Sequence, residues 1–146
     1  MDNQDGKSEK SLTSRNIVVG SGAHVLSFRN NYQTEYDPPP AEVFWDGYVL
    51  DVSTDGGATW NDIITAGGTC TSGCYTGELT GTANNPLAGR MAWCGDSGGY
   101  INTVINLPAS LNGQTIKLRF DMGTDEALAR PGAHVDVLTI TNASCP

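Results

Sequence analysis

Apolar and polar residues alternate along several short segments of the chain, which is the pattern of a β-strand with one buried face. In the segment "TIKLRFDM" the pattern predicts Ile116, Leu118, Phe120 and Met122 facing inward, and Lys117, Arg119 and Asp121 facing outward. The alternating segments are residues 24–33, 47–54, 103–107, 115–122 and 134–142. No segment has a helical period. The pattern predicts an all-β protein built as an antiparallel β-sandwich.

Composition and length fit a single domain. The chain has 146 residues with 18 Gly, 7 Pro and 16% charged residues, a mixture typical of many short strands joined by turns. Residues 1–15 are polar and aperiodic, so we expect a disordered tail or linker there and the sandwich over residues 16–146. Residues 38–42 and the Gly-, Thr- and Asn-rich stretch 65–90 are expected to be long loops.

The charge narrows the choice of partners. The net charge is −8 and the pI is near 4.4, which argues against nucleic acid because phosphates need a basic surface. No apolar run approaches the roughly 20 residues of a membrane span. An excess of carboxylates fits an extracellular protein, and loop carboxylates that converge at one end of a sandwich can bind calcium. The acidic candidates are Glu35, Asp37, Glu42, Asp46, Asp121, Asp125, Glu126 and Asp136.

The chain has 4 cysteines, an even number that predicts two disulfides and an oxidising compartment, which favours a secreted or cell-surface protein. Three connectivities exist. The preferred one pairs Cys70 with Cys74 across the short "CTSGC" loop and Cys94 with Cys145. A zinc site is the weaker alternative, because Cys94 and Cys145 do not form a second closely spaced pair.

The stretch "STDGGATW" (residues 53–60) matches the Asp-box pattern Ser-x-Asp-x-Gly-x-Thr-Trp. Its fixed positions predict a turn in which the carboxylate accepts backbone amides, glycine supplies positive φ and the tryptophan folds back as an apolar plug. Sialidases repeat this box over the blades of a propeller. It occurs once here, in a chain too short for a propeller, so we expect a stabilised turn. The fixed positions are Ser53, Asp55, Gly57, Thr59 and Trp60.

The string "GDSGG" (residues 95–99) is the one that carries the nucleophile of chymotrypsin-like proteases. A serine nucleophile needs a histidine base, an orienting carboxylate and an oxyanion hole. The only histidines are His24 and His134, and only 96 residues precede Ser97, too few for the preceding parts of a two-barrel protease. We therefore expect a turn at Ser97 and no catalysis, with a serine hydrolase as the least favoured alternative.

Several separated motifs, in order, resemble one family of accessory domains. They are "LSFRNNYQTEYDPPPAEVFWDGYVLDVSTDGGATWNDI" and "NPLAGRMAWCGDSGGYINTVINLPASLNGQTIKLRFDMGTDEALARPGAHVDVLTI". The resemblance is to the jelly-roll β-sandwich found with secreted bacterial peptidases of the immune-inhibitor-A, fungalysin and subtilisin types. Reelin subrepeats are similar and MAM domains are more distant. The family's last strand usually reads Gly-Trp-Tyr-Ile-Asp-Asp-Val, whereas residues 132–138 lack its aromatic pair and second Asp.

The resemblance implies a jelly roll and a non-catalytic role beside a neighbouring peptidase or another extracellular partner. Related sandwiches hold a structural calcium, which by position implies Glu35, Asp46 and Asp136 as ligands, with Asp125 as a further candidate. The alternative function is a carbohydrate-binding module for a polysaccharide, for which Trp45 and Trp93 are the candidate stacking platform.

Overall fold

A computed structural model of the chain describes Met1 and residues 7–146, which form an all-β, antiparallel fold. Among these residues no helix is long and apolar enough to cross a membrane. A 3₁₀ turn spans Ala109–Leu111. The strands are β1 (Ser8–Thr13), β2 (Ile17–Val19), β3 (Val25–Gln33), β4 (Tyr36–Asp37), β5 (Val43–Phe44), β6 (Gly47–Ser53), β7 (Asn61–Asp62), β8 (Thr69–Ser72), β9 (Gly77–Glu78), β10 (Met91–Ala92), β11 (Ile101–Asn106), β12 (Thr115–Thr124), β13 (Gly132–Ile140) and β14 (Ala143–Ser144).

Two antiparallel sheets form the sandwich. One has the order β14-β2-β12-β6-β7, with β1 also paired to β12, and the other has the order β13-β3-β11-β8. Two short ribbons, β4-β5 and β9-β10, lie outside these sheets. Strand β12 is the centre of the larger sheet, because one of its edges pairs with β6 and the other with β1 and β2.

The core lies between the two sheets, where the predicted inward faces meet. Leu26 and Phe28 of β3 and the alternate residues of β12 from Ile116 to Met122 are all buried, which confirms the strand pattern. The rings of Phe28 and Phe120 meet edge to face across the sandwich, with centroids 5.1 Å apart. Asp121, predicted to face outward to solvent, is only 1% exposed, because Ser11 of β1 and Arg119 cover its carboxylate.

Strand β6 is buried along its whole length, since it has apolar neighbours on both faces. Tyr48, Leu50 and Val52 join the core between the sheets. Val49 points to the opposite face and joins a second apolar cluster. That second cluster consists of Val49, Leu79, Leu87, Ala92 and Cys94.

Two predicted irregular segments contain strands. Residues 8–13 were expected in a disordered tail, but they form β1, paired over six residues with β12 from Thr124 to Arg119. The tail prediction is therefore wrong for these residues, and residues 2–6 lie outside the described part of the chain. The stretch 65–90 contains β8 and β9, so it is not one continuous loop. These strands are short or lie at an exposed edge, where little apolar alternation is needed.

One of the two preferred disulfides is present. Cys70 and Cys74 are joined, with Cα atoms 5.7 Å apart. The predicted Cys94–Cys145 bond is wrong, because both residues are free cysteines. Cys94 is buried in the second apolar cluster, whereas Cys145 is exposed after β14, at the far edge of the larger sheet.

Candidate metal centre

Three carboxylates from three separate segments meet at one end of the sandwich. Glu35 lies between β3 and β4, Asp46 directly precedes β6, and Asp125 directly follows β12. One carboxylate oxygen from each lies within 4.8 Å of the others. Asp46 is 0% exposed and Asp125 is 5% exposed, so two of the three carboxylates are buried. The cluster therefore brings together three of the four residues that the resemblance implied as ligands.

Hydrogen bonds donated by backbone N–H groups connect the three segments. The backbone N–H of Asp125 donates to Oδ1 of Asp46 at 2.8 Å, and the N–H of Ala127 donates to Oδ1 of Asp125 at 2.8 Å. The N–H of Asp46 donates to the carbonyl oxygen of Glu35 at 3.3 Å. Glu35 Oε2 is buried and accepts no hydrogen bond from the described residues.

Asn85 is a supporting residue that the sequence reasoning missed. It is buried, and its amide Nδ2 donates to the carbonyl oxygens of Trp45 at 2.7 Å and Gly123 at 3.0 Å. It thereby ties the residue before Asp46 to the end of β12. Its one sequence signal was its place at the start of the "NPLAGR" motif.

The electrostatics of the cluster penalise a third negative charge. Burial raises the pKa of Glu35 above its ordinary value, and the neighbouring charges of Asp125 and Asp46 raise it further. Arg130 acts in the opposite direction but makes no salt bridge within the described chain. Three carboxylates this close repel one another unless a proton or a cation joins them.

Asp136 does not join the cluster, so that predicted ligand is wrong. It is exposed on β13, where it pairs in register with Arg29 of β3, and its Oδ1 accepts the backbone N–H of Val137 at 2.8 Å. Arg29 precedes Glu35 by six residues. At about 3.3 Å per strand residue, the four residues from Arg29 to the end of β3 at Gln33 alone separate Asp136 from the segment of Glu35 by roughly 13 Å.

Known proteins add no support for this centre. No model of a known protein family matches the chain, and no curated protein matches it. The resemblance to peptidase-associated sandwiches stays a prediction. The support for the carboxylate cluster comes from the geometry of its own side chains.

Ser97 of the "GDSGG" string is engaged in a turn. Its Oγ accepts the backbone N–H of Tyr32 at 2.9 Å, and it lies 2.8 Å from the carbonyl oxygen of Gly99 and 3.0 Å from Oδ1 of Asn31. Asp96 Oδ1 accepts the N–H of Gly98 at 2.8 Å. Neither histidine makes a hydrogen bond to Ser97 within the described chain. The ring of His24 contacts the carbonyl oxygens of Gly20 and Thr141, and His134 is exposed on β13.

The Asp-box forms the expected turn after β6. Ser53 Oγ accepts the N–H of Gly57 at 2.8 Å, and Asp55 accepts both the N–H of Thr59 at 2.9 Å and its hydroxyl at 2.6 Å. The hydrogen bonds from Thr59 and Ser53 hold the pKa of Asp55 well below its usual range. Trp60 is half-buried, with the guanidinium of Arg119 over its ring at 4.6 Å.

The two candidate platform tryptophans do not form a sugar-binding pair. Trp93 is 1% exposed and packs among Phe28, Tyr48 and Tyr75, while its indole N–H donates to the carbonyl oxygen of Gly73 at 2.7 Å. Trp45 is partly exposed. The platform prediction is therefore wrong, because Trp93 is a core residue.

Proposed function

We propose that this chain is a non-catalytic extracellular binding domain whose sandwich is stabilised by a calcium ion held by Glu35, Asp46 and Asp125. The observation that carries the proposal is the convergence of three carboxylates within 4.8 Å, two of them buried. Buried carboxylates are costly unless they are paired or coordinate a metal. Neither Glu35 nor Asp125 makes a salt bridge to a described residue.

Calcium suits these ligands better than other common metals. It prefers six to eight oxygen ligands and accepts carboxylates in one- or two-oxygen binding, with backbone carbonyls and water completing its shell. The cluster contains neither histidine nor cysteine, which are the ligands typical of zinc. A bound cation joins the start of β6, the end of β12 and the segment after β3, so it connects both sheets.

A non-catalytic role is supported by the surroundings of Ser97. Its hydroxyl is occupied by the backbone of Tyr32 and Gly99, and it has no hydrogen-bonded histidine among the described residues. The disulfide Cys70–Cys74 supports an oxidising, secreted location. The resemblance supports a jelly-roll arrangement of this chain's own strands. It also supports a neighbouring peptidase domain or another extracellular protein as the partner. A polysaccharide is the alternative partner.

Calcium binding is tested by titration calorimetry and by melting with and without EDTA. At calcium concentrations about 100-fold above Kd the ion stabilises the native state by about 2.7 kcal/mol. For a domain of this size, EDTA should lower Tm by about 5–10 °C.

E35Q and D125N should each lose at least tenfold in calcium affinity, because each removes one negative ligand. E35Q is the variant more certain to fold, because Glu35 is only half-buried whereas Asp125 is buried. The matched control is D136N, which removes an acidic residue outside the cluster and should bind calcium like the parent protein. An equal loss in all three variants, or a Tm that EDTA does not change, would overturn the proposal.

A further inference from the structure

A polar cavity of about 270 Å³ adjoins the carboxylate cluster. Two of its residues, Thr34 and Tyr36, flank Glu35 in the chain, and Arg130 lies five residues after Asp125. The two chain neighbours of Glu35 therefore line the cavity, together with Arg130 from the segment that follows Asp125. The lining residues are Gln33, Thr34, Tyr36, Pro38, Asp96 and Arg130.

Two of the polar side chains of this cavity have no hydrogen-bond partner in the described part of the fold, whereas Thr34 and Asp96 already accept backbone N–H groups. Arg130 is exposed and makes no hydrogen bond or salt bridge to a described residue, and neither does the hydroxyl of Tyr36. Gln33 Nε2 donates to Asp96 Oδ2 at 3.0 Å, which leaves the side-chain carbonyl of Gln33 available. The cavity thus contains a guanidinium that only donates (Arg130), a carboxylate (Asp96), an amide (Gln33) and a phenol (Tyr36).

A larger cavity beside the disulfide differs in this respect. It measures about 450 Å³ and contains Arg90, Asp62 and Tyr75. Arg90 is bonded to Asp51 and to Asp62, and the hydroxyl of Tyr75 donates to Asp62 at 2.8 Å. Its arginine is therefore committed to the fold, whereas Arg130 has no salt-bridge partner among the described residues and remains available for a ligand.

The charge around the cavity selects the class of ligand. Arg130 is the single cation of the lining, and the carboxylates of Asp96 and Glu35 lie in or beside it. An anionic ligand is repelled by these carboxylates, whereas a pair of hydroxyl groups can donate to Asp96 and accept from Arg130. Tyr36 adds an aromatic ring, which stacks on Phe44 with centroids 6.1 Å apart.

We propose that this cavity binds one unit of a neutral sugar, with Asp96, Gln33 and Arg130 contacting its hydroxyl groups and Tyr36 contacting its ring. Its volume is below the roughly 300–1,000 Å³ of cavities for larger ligands, which fits a single ring. The proposal rests on the proposed binding function, in which calcium fixes Glu35 and Asp125 and thereby the segments that carry Tyr36 and Arg130. It also assigns a role to Asp96 of the "GDSGG" string.

The test is a titration of the ¹⁵N-labelled protein with the methyl glycosides of glucose, galactose and mannose, each followed by amide NMR spectra in calcium. At least one glycoside at about 10 mM should shift the amides of residues 33–37, 95–98 and 130 in a saturable way. R130Q and D96N should weaken that glycoside at least tenfold. R15Q is the matched control, since Arg15 is an exposed arginine between β1 and β2 and should bind like the parent.

The outcomes separate this proposal from the calcium proposal, because calcium binding is measured in the same samples. If the protein binds calcium but no glycoside shifts the amides of these residues, the sugar site is wrong and the calcium proposal stands. Glycoside shifts that persist in EDTA support the sugar site and count against the calcium centre as its organiser. If a Gly-Arg-Gly peptide shifts the amides of these residues and none of the glycosides does, the cavity binds a basic peptide and the sugar proposal is wrong.

Discussion

Ser97 satisfies backbone groups at the end of β3, and this gives a test of its role. Its Oγ accepts the N–H of Tyr32, a residue that is 3% exposed. We expect S97A to lose about 1–3 kcal/mol of stability, because it leaves that amide without its acceptor. Denaturant unfolding measures the loss, with S110A, an exposed serine of the 3₁₀ turn, as the control.

The same residue should not react with a fluorophosphonate probe, because no histidine is placed to activate its hydroxyl. Labelling at Ser97 in the folded protein, detected by mass spectrometry and absent in S97A, would make it a nucleophile.

Single residues show how far the sequence could locate the candidate site. Carboxylates in loops indicated calcium from their chemistry, but no spacing in the chain shows that Glu35, Asp46 and Asp125 meet. Their grouping came from the resemblance, which also supplied Asp136. Asp136 lies on a strand with a register shift between Asp136 and Thr139, a distortion that the local sequence does not reveal.

Strand β1 pairs with β12 and brings Glu9 close to the carboxylate of Asp121, which makes the pairing depend on pH. The side chain of Asp121 raises the pKa of Glu9, and partial desolvation and the charge of Asp121 raise it further. Asp51 also raises it, while Arg119 lowers it. The folded chain therefore binds the proton of Glu9 more tightly than the unfolded chain does. The stabilisation that this proton gives to the folded chain is full below the ordinary glutamate pKa, and it is lost as pH rises through the raised pKa of Glu9.

Amide hydrogen exchange in β1, compared between pH 5 and pH 7.5 after correction for the intrinsic rate, should show weaker protection at the higher pH. In E9Q this difference should shrink, because the amide side chain carries no charge at either pH. E78Q, which changes an exposed glutamate on β9, should behave like the parent. Unchanged protection in the parent across this range would contradict the role of Glu9.

Strands differ in how well their sequences predict them. Strands β3 and β12 bury alternate residues between the sheets, so their alternation predicts both the strand and its inward face. Strand β6 is buried on both faces because Leu79 and Leu87 cover its outer side, and this depends on a loop distant in sequence. Strand β1 lies at an exposed edge, so its polar sequence "SEKSLT" has no apolar stripe to detect.

The order of strands in the larger sheet explains why Cys94 and Cys145 stay apart. Cys145 follows β14 at one edge, while Cys94 belongs to the cluster that contains Val49 of β6, three strands away. At about 4.8 Å per strand the separation is roughly 14 Å, and a disulfide needs Cα atoms within about 7 Å. The Cys70–Cys74 pair is set by a local turn, so its sequence spacing was a sufficient guide.

Thiol titration tests this whole-chain arrangement. With Ellman's reagent at pH 8, the folded protein should react rapidly at Cys145 alone, because burial raises the pKa of the Cys94 thiol to about 11 and shields it from the reagent. Unfolding in guanidinium should expose two thiols, and reduction should raise the count to four. C145S should lose the rapid reaction, and C94S should retain it. No reactive thiol in the unfolded, unreduced chain would instead show a second disulfide joining Cys94 to Cys145.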